Sequence, residues 1–276
     1  MLSLRIKNYP LVIISHGTGG GRLTLEWLAT GLVKQGYVVA AVDHWGNTYD
    51  NKIPEQFLKV WERPKDISFV LSALLVDDKI GKIVNKEKIG VAGFSLGGFT
   101  AIALAGGRLD YDQLLSFMRS DKGEKEAQVP ELQELSDFLH DQLFIDKIRQ
   151  EYLEEQSLMD RRIKAFVAIA PALGQGFSVK SQFQEVGRPV LIMGAEGDEI
   201  APVKTNALHY HQLIQSSTFF LHRGKVGHYA FLNQAHEPLK SESPMFFRDH
   251  NTVDRNSVHE KTVLLAEQFF SKNLNN

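Results

Sequence analysis

The chain has 276 residues, 43% of them apolar, a formal net charge of −2 and no cysteine. That length and composition suit one sizeable α/β core. The balanced charge offers no basic face for nucleic acid, and the lack of cysteine excludes a disulfide framework, a thiolate nucleophile and cysteine-bound zinc.

Met1 to Pro10 shows no charged n-region, long apolar run or small-residue cleavage site, so the chain reads as cytoplasmic. No stretch approaches the ~18 apolar residues of a membrane span. The apolar run 11–15 predicts a short buried strand. Leu25, Leu28, Leu32 and Val33 predict a helix over 23–35, stopped by Gly36. A second buried strand is expected at 37–42. Arg63-Pro64 opens a helix through Ile67, Val70, Leu71, Leu74 and Leu75, with the proline suited to its first turn. A strand at 88–92 and a helix at 98–105 flank Gly93-Phe94-Ser95-Leu96-Gly97. Strands at 165–170, 189–193 and 217–222 follow, with helices at about 202–214 and 256–271. Continuous apolar strands alternating with helices predict a mostly parallel sheet covered on both faces.

Residues 107–162 break this rhythm. They are strongly charged, and Val129-Pro130 predicts a helix start followed by Leu132, Leu135, Phe138, Leu139, Leu143 and Ile148 at helical spacing. Two readings stand: an amphipathic surface helix, or a helical cap-like insertion beside the ligand crevice at the strand C-termini. The whole of 1–276 reads as a single domain.

Strand, tight glycine-flanked turn and apolar helix together form the setting of a nucleophile elbow centred on Ser95. A serine hydroxyl needs a base to take its proton and an acid to orient that base. In this kind of sheet the chain order is Ser, Asp or Glu, then His. Asp198 follows the strand at 189–193, and His228 follows the last strand. Glu196 and Glu199 compete with Asp198 but read as solvated loop charges. His222 sits within a strand, and His209, His211, His236, His250 and His259 read as ordinary surface or core histidines. Oxyanion donors are expected from the backbone of Leu96 and from the loop Ser15-His16-Gly17-Thr18-Gly19-Gly20-Gly21, with Thr18 preferred and Gly17 or Gly19 possible. His16 reads as a support for that loop. Phe94, His44, Trp45 and Tyr229 are candidate pocket residues, with Phe99 and Phe231 as further apolar wall or core. The histidines and carboxylates lack metal-site spacing, so neither metal nor cofactor is expected.

The runs at 11–20, 36–44, 93–98, 162–171 and 187–198 resemble bacterial α/β-hydrolases described as predicted dienelactone hydrolases, which are similar to platelet-activating-factor acetylhydrolase-like esterases. The resemblance implies the α/β-hydrolase fold, with Ser95 as nucleophile, Asp198 as acid, His228 as base, and Thr18 and Leu96 as oxyanion donors. Dienelactone hydrolases carry a cysteine nucleophile where this chain has serine. The platelet-activating-factor enzymes take their acid after the preceding strand, where Ala168-Ile-Ala-Pro171 offers none. Family members also carry an N-terminal β-hairpin before the first central strand, for which about ten residues remain here.

The expected function is hydrolysis of a small-molecule carboxylic ester of short or medium acyl chain through an acyl-enzyme. The alternatives are a thioesterase, amidase or acyltransferase on the same residues, or a non-catalytic binding protein of this fold. No nucleic-acid partner is expected, and the oligomeric state is open.

Overall fold

A computed structural model describes residues 8–126, 130–132, 135–155 and 157–274. Val129, half of the expected helix start, lies outside the described residues, as do residues 1–7. The chain runs β1 (Tyr9–Ser15), α1 (Glu26–Lys34), β2 (Val38–Ala41), α2 (Pro54–Leu58), α3 (Glu62–Val76), α4 (Ile80–Ile83), β3 (Val84–Phe94) and α5 (Leu96–Ala105). It continues through α6 (Tyr111–Met118), α7 (Asp121–Glu126), α8 (Leu135–His140) and α9 (Gln142–Leu153) to β4 (Ala165–Ile169) and β5 (Val190–Ala195). Then come α10 (Ala207–Leu213), β6 (Ser217–His222), α11 (Glu237–Glu242), α12 (Pro244–Phe247) and α13 (Arg255–Leu274).

The six strands form one sheet in the order β2-β1-β3-β4-β5-β6, and every pairing is parallel. Successive residues of each inner strand point to opposite faces. Leu11, Ile13, Val91 and Phe166 therefore join one buried cluster, and Val12, Ile14, Ala92 and Val167 join the other. Both clusters are roofed by helices, which explains why the inner strands are apolar throughout. β2 and β6 lie at the edges, so β2 is only half-buried where the sequence predicts a fully buried strand.

Strand order sets the position of the site. The chain leaves β1 toward β2 on one side and returns to β3 on the other, which opens a crevice between the C-terminal ends of β1 and β3. Ser15 and Gly93 are register partners at that end, so the glycine-rich loop and the Ser95 turn emerge side by side.

The described residues of 107–162 form four helices where one is predicted from Pro130 onward. Asp110 accepts from Gln113 N at 2.9 Å and starts α6; Asp141 accepts from Phe144 N at 3.1 Å and restarts the chain as α9 after α8. This second start rotates the apolar stripe. Leu132, Leu135, Leu139, Ile145 and Ile148 join the cluster that holds Leu11 and Ile13, but Leu143 is left outside, 85% exposed. Among the described residues no helix is long and apolar enough to cross a membrane.

Candidate active site

Ser95 sits between β3 and α5 with φ 56° and ψ −118°, a conformation that side chains rarely adopt. The turn survives because the neighbouring chain over-determines it. Ser95 N–H donates to Ile169 O of β4 at 2.9 Å, while its own carbonyl accepts from Gly98 N (2.8 Å), Phe99 N and Ala172 N (both 3.1 Å). Glycine is required on either side by space. A Cβ on Gly93 would lie 1.9 Å from Gly97 O, and one on Gly97 would lie 2.1 Å from Ser15 O.

The turn brings Ser95 Oγ to 2.9 Å from His228 Nε2, and His228 Nδ1 lies 2.7 Å from Asp198 Oδ2. All three residues are buried, at 7%, 4% and 6% exposure. Asp198 is fixed from behind, because its Oδ1 accepts from Ile200 N (3.0 Å) and Ala201 N (2.7 Å). The partners assign the tautomer: Nδ1–H of His228 donates to the carboxylate, leaving Nε2 to accept the serine proton. Phe94 packs on the imidazole with ring centroids 4.8 Å apart. The competing side chains go elsewhere. Glu196 and Glu199 are exposed, and His222 Nε2 pairs with Thr262 Oγ1 at 3.1 Å. His259 stacks on Trp27 and its Nε2 bonds Ala230 O.

Three N–H groups of the loop after β1 are engaged within the protein. Gly19 N–H donates to Asn47 Oδ1 (3.1 Å), Gly20 N–H to Gly17 O (3.3 Å) and Gly21 N–H to Thr24 Oγ1 (2.9 Å). Gly19, open as a donor on sequence alone, is thus already engaged. Neither the Thr18 nor the Leu96 N–H has a hydrogen-bond partner among the described residues. Both residues line a cavity that contains Ser95 and His228.

Two cavities meet at this point. The first, about 120 Å³, is walled by Phe57, Leu58, Leu96, Leu114, Leu115 and Met118, so α6 supplies much of its surface. The second, about 570 Å³, runs over the glycine loop past Tyr49, Lys52, Tyr229 and Phe246. Ser95, Thr18, Glu131 and His228 border both. Of the expected pocket residues, Phe94 and Tyr229 line the second cavity. His44 and Trp45 line neither: the turn after β2 points Trp45 outward, 66% exposed, and buries His44 beneath the glycine loop. Phe99 and Phe231 are core.

Sequence reasoning misses four polar residues around this site. Glu131 borders both cavities; its carboxylate accepts from Tyr229 Oη at 3.0 Å, and burial raises its pKa. No periodicity or spacing marks it. Arg63, Asp66 and Asn47 lie under the glycine loop. Asp66 Oδ2 accepts from His44 Nδ1 at 2.8 Å, and His44 Nε2 faces Ser15 Oγ at 2.9 Å. Burial, with Arg63 second, holds His16 down at about 3 and His44 well below the usual histidine range, so both are neutral. Among the described residues no three His, Asp or Glu side chains converge as a metal site requires.

A parallel sheet with the glycine loop after β1, a serine in a strained turn after β3, and the acid and histidine after β5 and β6 defines the architecture. The chain has the α/β-hydrolase fold. The same fold appears in the solved structure of a ferulic acid esterase from Streptomyces cinnamoneus, similar over 97% of this chain and 68% of that one, with a TM-score of 0.58 and 20% identity. Residues 2–51, which span β1, the glycine loop, α1 and β2, match the family model described as platelet-activating factor acetylhydrolase, isoform II. Comparison with curated proteins finds no match. Both cavities open onto the crevice between β1 and β3, the switch point of the sheet.

Proposed function

We propose that this hydrolase-fold chain cleaves carboxylic esters of short acyl chain, with Ser95 as nucleophile, His228 as base and Asp198 as its orienting acid. The observation that carries the reading is the unbroken line from Ser95 Oγ to His228 to Asp198 (2.9 and 2.7 Å), beside two unpartnered backbone N–H groups. As Oγ attacks the acyl carbonyl, His228 Nε2 takes its proton and Asp198 stabilises the imidazolium. Thr18 and Leu96 N–H receive the oxyanion. The tetrahedral intermediate then collapses: the bond to the alcohol oxygen breaks, His228 returns its proton to that oxygen, and the acyl group stays on Ser95. Water, deprotonated by the same nitrogen, attacks the acyl carbon; the bond to Ser95 Oγ then breaks, His228 returns the proton to that oxygen, and the carboxylic acid leaves.

The cavities suggest how the substrate lies. About 120 Å³ of apolar space takes the acyl group. Since a water occupies roughly 30 Å³ of liquid, this is room for about four heavy atoms. The larger and more polar cavity takes the alcohol, which must leave for water to enter. Residues 107–162 act as a cap, because α6 and Glu131 line cavities that Ser95 also borders. The partial match to the acetylhydrolase family model and the fold shared with a ferulic acid esterase are consistent with ester chemistry.

The test is hydrolysis of p-nitrophenyl esters from acetate to palmitate, with fluorophosphonate labelling of the wild type and of Ser95→Ala. Turnover peaking at two to about four acyl carbons, with labelling lost in Ser95→Ala, is the expected result. Labelling without ester turnover points to thioesters, amides or an acyl acceptor other than water. Neither labelling nor turnover leaves a binding protein of this fold.

A further inference from the structure

Arg63 is the most deeply buried arginine among the described residues. It is 1% exposed and lies in the first turn of α3, where the helix dipole disfavours a cation. No carboxylate among the described residues reaches it within ion-pair distance; Asp66, one turn on, is engaged with His44. Burial, partly offset by the Asp66 carboxylate, pulls its pKa down to about 9, which still leaves it charged at neutral pH. A buried cation held this way needs compensation from oriented dipoles, and the residues that supply them surround the glycine loop.

The guanidinium donates to His16 O through Nη2 and to Asn47 Oδ1 through Nη1 (3.1 Å), with longer contacts to Ser15 Oγ (3.5 Å) and Thr100 Oγ1 (3.4 Å). Asn47 Oδ1 also accepts from Gly19 N–H at 3.1 Å. The backbone on both sides of Thr18 is therefore tied to one planar fork. Between those ties, His16 Nδ1–H donates to Gly17 O at 2.6 Å, and Gly20 N–H approaches the same oxygen at 3.3 Å. His16 Nε2 in turn accepts from His44 N–H at 3.3 Å, which fixes the tautomer. In a trans peptide the C=O and N–H point in opposite directions. With Gly17 O held inward by His16, the Thr18 N–H must point outward, into the crevice.

We propose that Arg63, acting with Asn47, is a positioning residue that aims the Thr18 N–H at the developing oxyanion. The proposal rests on the ester-hydrolysing reading of Ser95, His228 and Asp198. An aligned N–H and a nearby buried positive charge gain most when the carbonyl oxygen becomes negative, so the effect falls on kcat and little on KM. Lysine cannot reproduce it, because a single ammonium does not bridge His16 O and Asn47 Oδ1 in one plane.

The experiment compares wild type, Arg63→Lys and Asn47→Ala, each checked for native near-UV circular dichroism. Steady-state kinetics on p-nitrophenyl butyrate are measured with the Ki of an aliphatic trifluoromethyl ketone, whose serine hemiketal carries the oxyanion charge. The expected result is a kcat about 10- to 100-fold lower in both variants, KM within about twofold, and Ki for the ketone weakened in step with kcat/KM. A folded variant with unchanged kcat, a change confined to KM, or an unchanged ketone Ki overturns the proposal. If Arg63→Lys does not fold, Asn47→Ala decides; if neither folds, the network is scaffold and the proposal falls. A wild type without turnover or fluorophosphonate labelling fails earlier, at the ester-hydrolysing reading itself, and takes the proposal with it.

Discussion

Asp198 divides its two carboxylate oxygens between two tasks: Oδ2 faces His228 Nδ1 at 2.7 Å, while Oδ1 is held by the N–H groups of Ile200 and Ala201. The second grip has a consequence for Asp198→Asn. Two N–H donors demand an acceptor, so the amide oxygen must occupy the Oδ1 position and the NH₂ must face His228. The imidazole then places its proton on Nε2, where it can no longer accept from Ser95. We expect kcat to fall by about 10⁴ with the fold intact, measured by steady-state ester hydrolysis alongside circular dichroism. Loss within tenfold of wild type would mean that Asp198 does not orient the base.

The apolar cavity under α6 makes a prediction about chain length. Leu115 lines it and is 6% exposed. In Leu115→Trp the larger side chain fills space that longer acyl groups need. We expect kcat/KM for p-nitrophenyl butyrate to drop at least about tenfold, while acetate stays within about threefold, since one methylene is worth roughly 10–200-fold in a tight pocket. Equal losses on acetate and butyrate would place the acyl group in the other cavity.

Acid should destabilise the fold through its histidines. Burial holds His16 at about 3, His222 and His259 at about 4, and His44 well below the ordinary value. On unfolding, each recovers an affinity near pH 6.5, so below that pH the unfolded chain binds more protons and stability falls as the pH drops. Asp66 acts in the opposite sense: burial raises it to about 6, so its contribution falls as the pH climbs from about 4 to 6. Burial raises Glu131 in the same sense, and four histidines outweigh these two carboxyls. We expect unfolding free energy to decline by roughly 3–5 kcal/mol between pH 6.5 and pH 5, read from urea midpoints at a series of pH values. A flat profile would show that these histidines are protonated in the fold.

Gly97 is the tightest point in the serine turn after Gly93. Its absent Cβ would meet the backbone oxygen of Ser15 at 2.1 Å, and neither chain has room to withdraw because β1 and β3 are paired there. Gly97→Ala should cost about 1–3 kcal/mol and displace Ser95 from His228, so that activity is lost even where the protein still folds. Urea denaturation and ester turnover together check this; a stable, active Gly97→Ala would mean that the turn can relax.

What is legible in the sequence is local. Apolar runs of five to six residues separated by helical spacing announce the inner strands and most of the helices around them, because burial on both sheet faces removes the need for polar alternation. Ser95, Asp198 and His228 can be picked out in the linear chain because strand ends are marked by glycine, aspartate and histidine in short loops. The several-helix form of 107–162 is not legible, since the cap at Asp110 starts a helix that the spacing does not mark and the cap at Asp141 interrupts one that reads as continuous.

Tertiary structure alone decides what lies beside what. The β1–β3 crevice exists because the chain reverses direction at β1, and no residue pattern within either strand encodes that. His44 and Trp45 are adjacent in sequence, yet one supports the glycine loop and the other faces water, because the turn after β2 sends their side chains apart. Arg63 reads as the polar start of an amphipathic helix. Its burial beneath the glycine loop depends on how α3 packs across β1, a long-range contact that local propensity cannot carry.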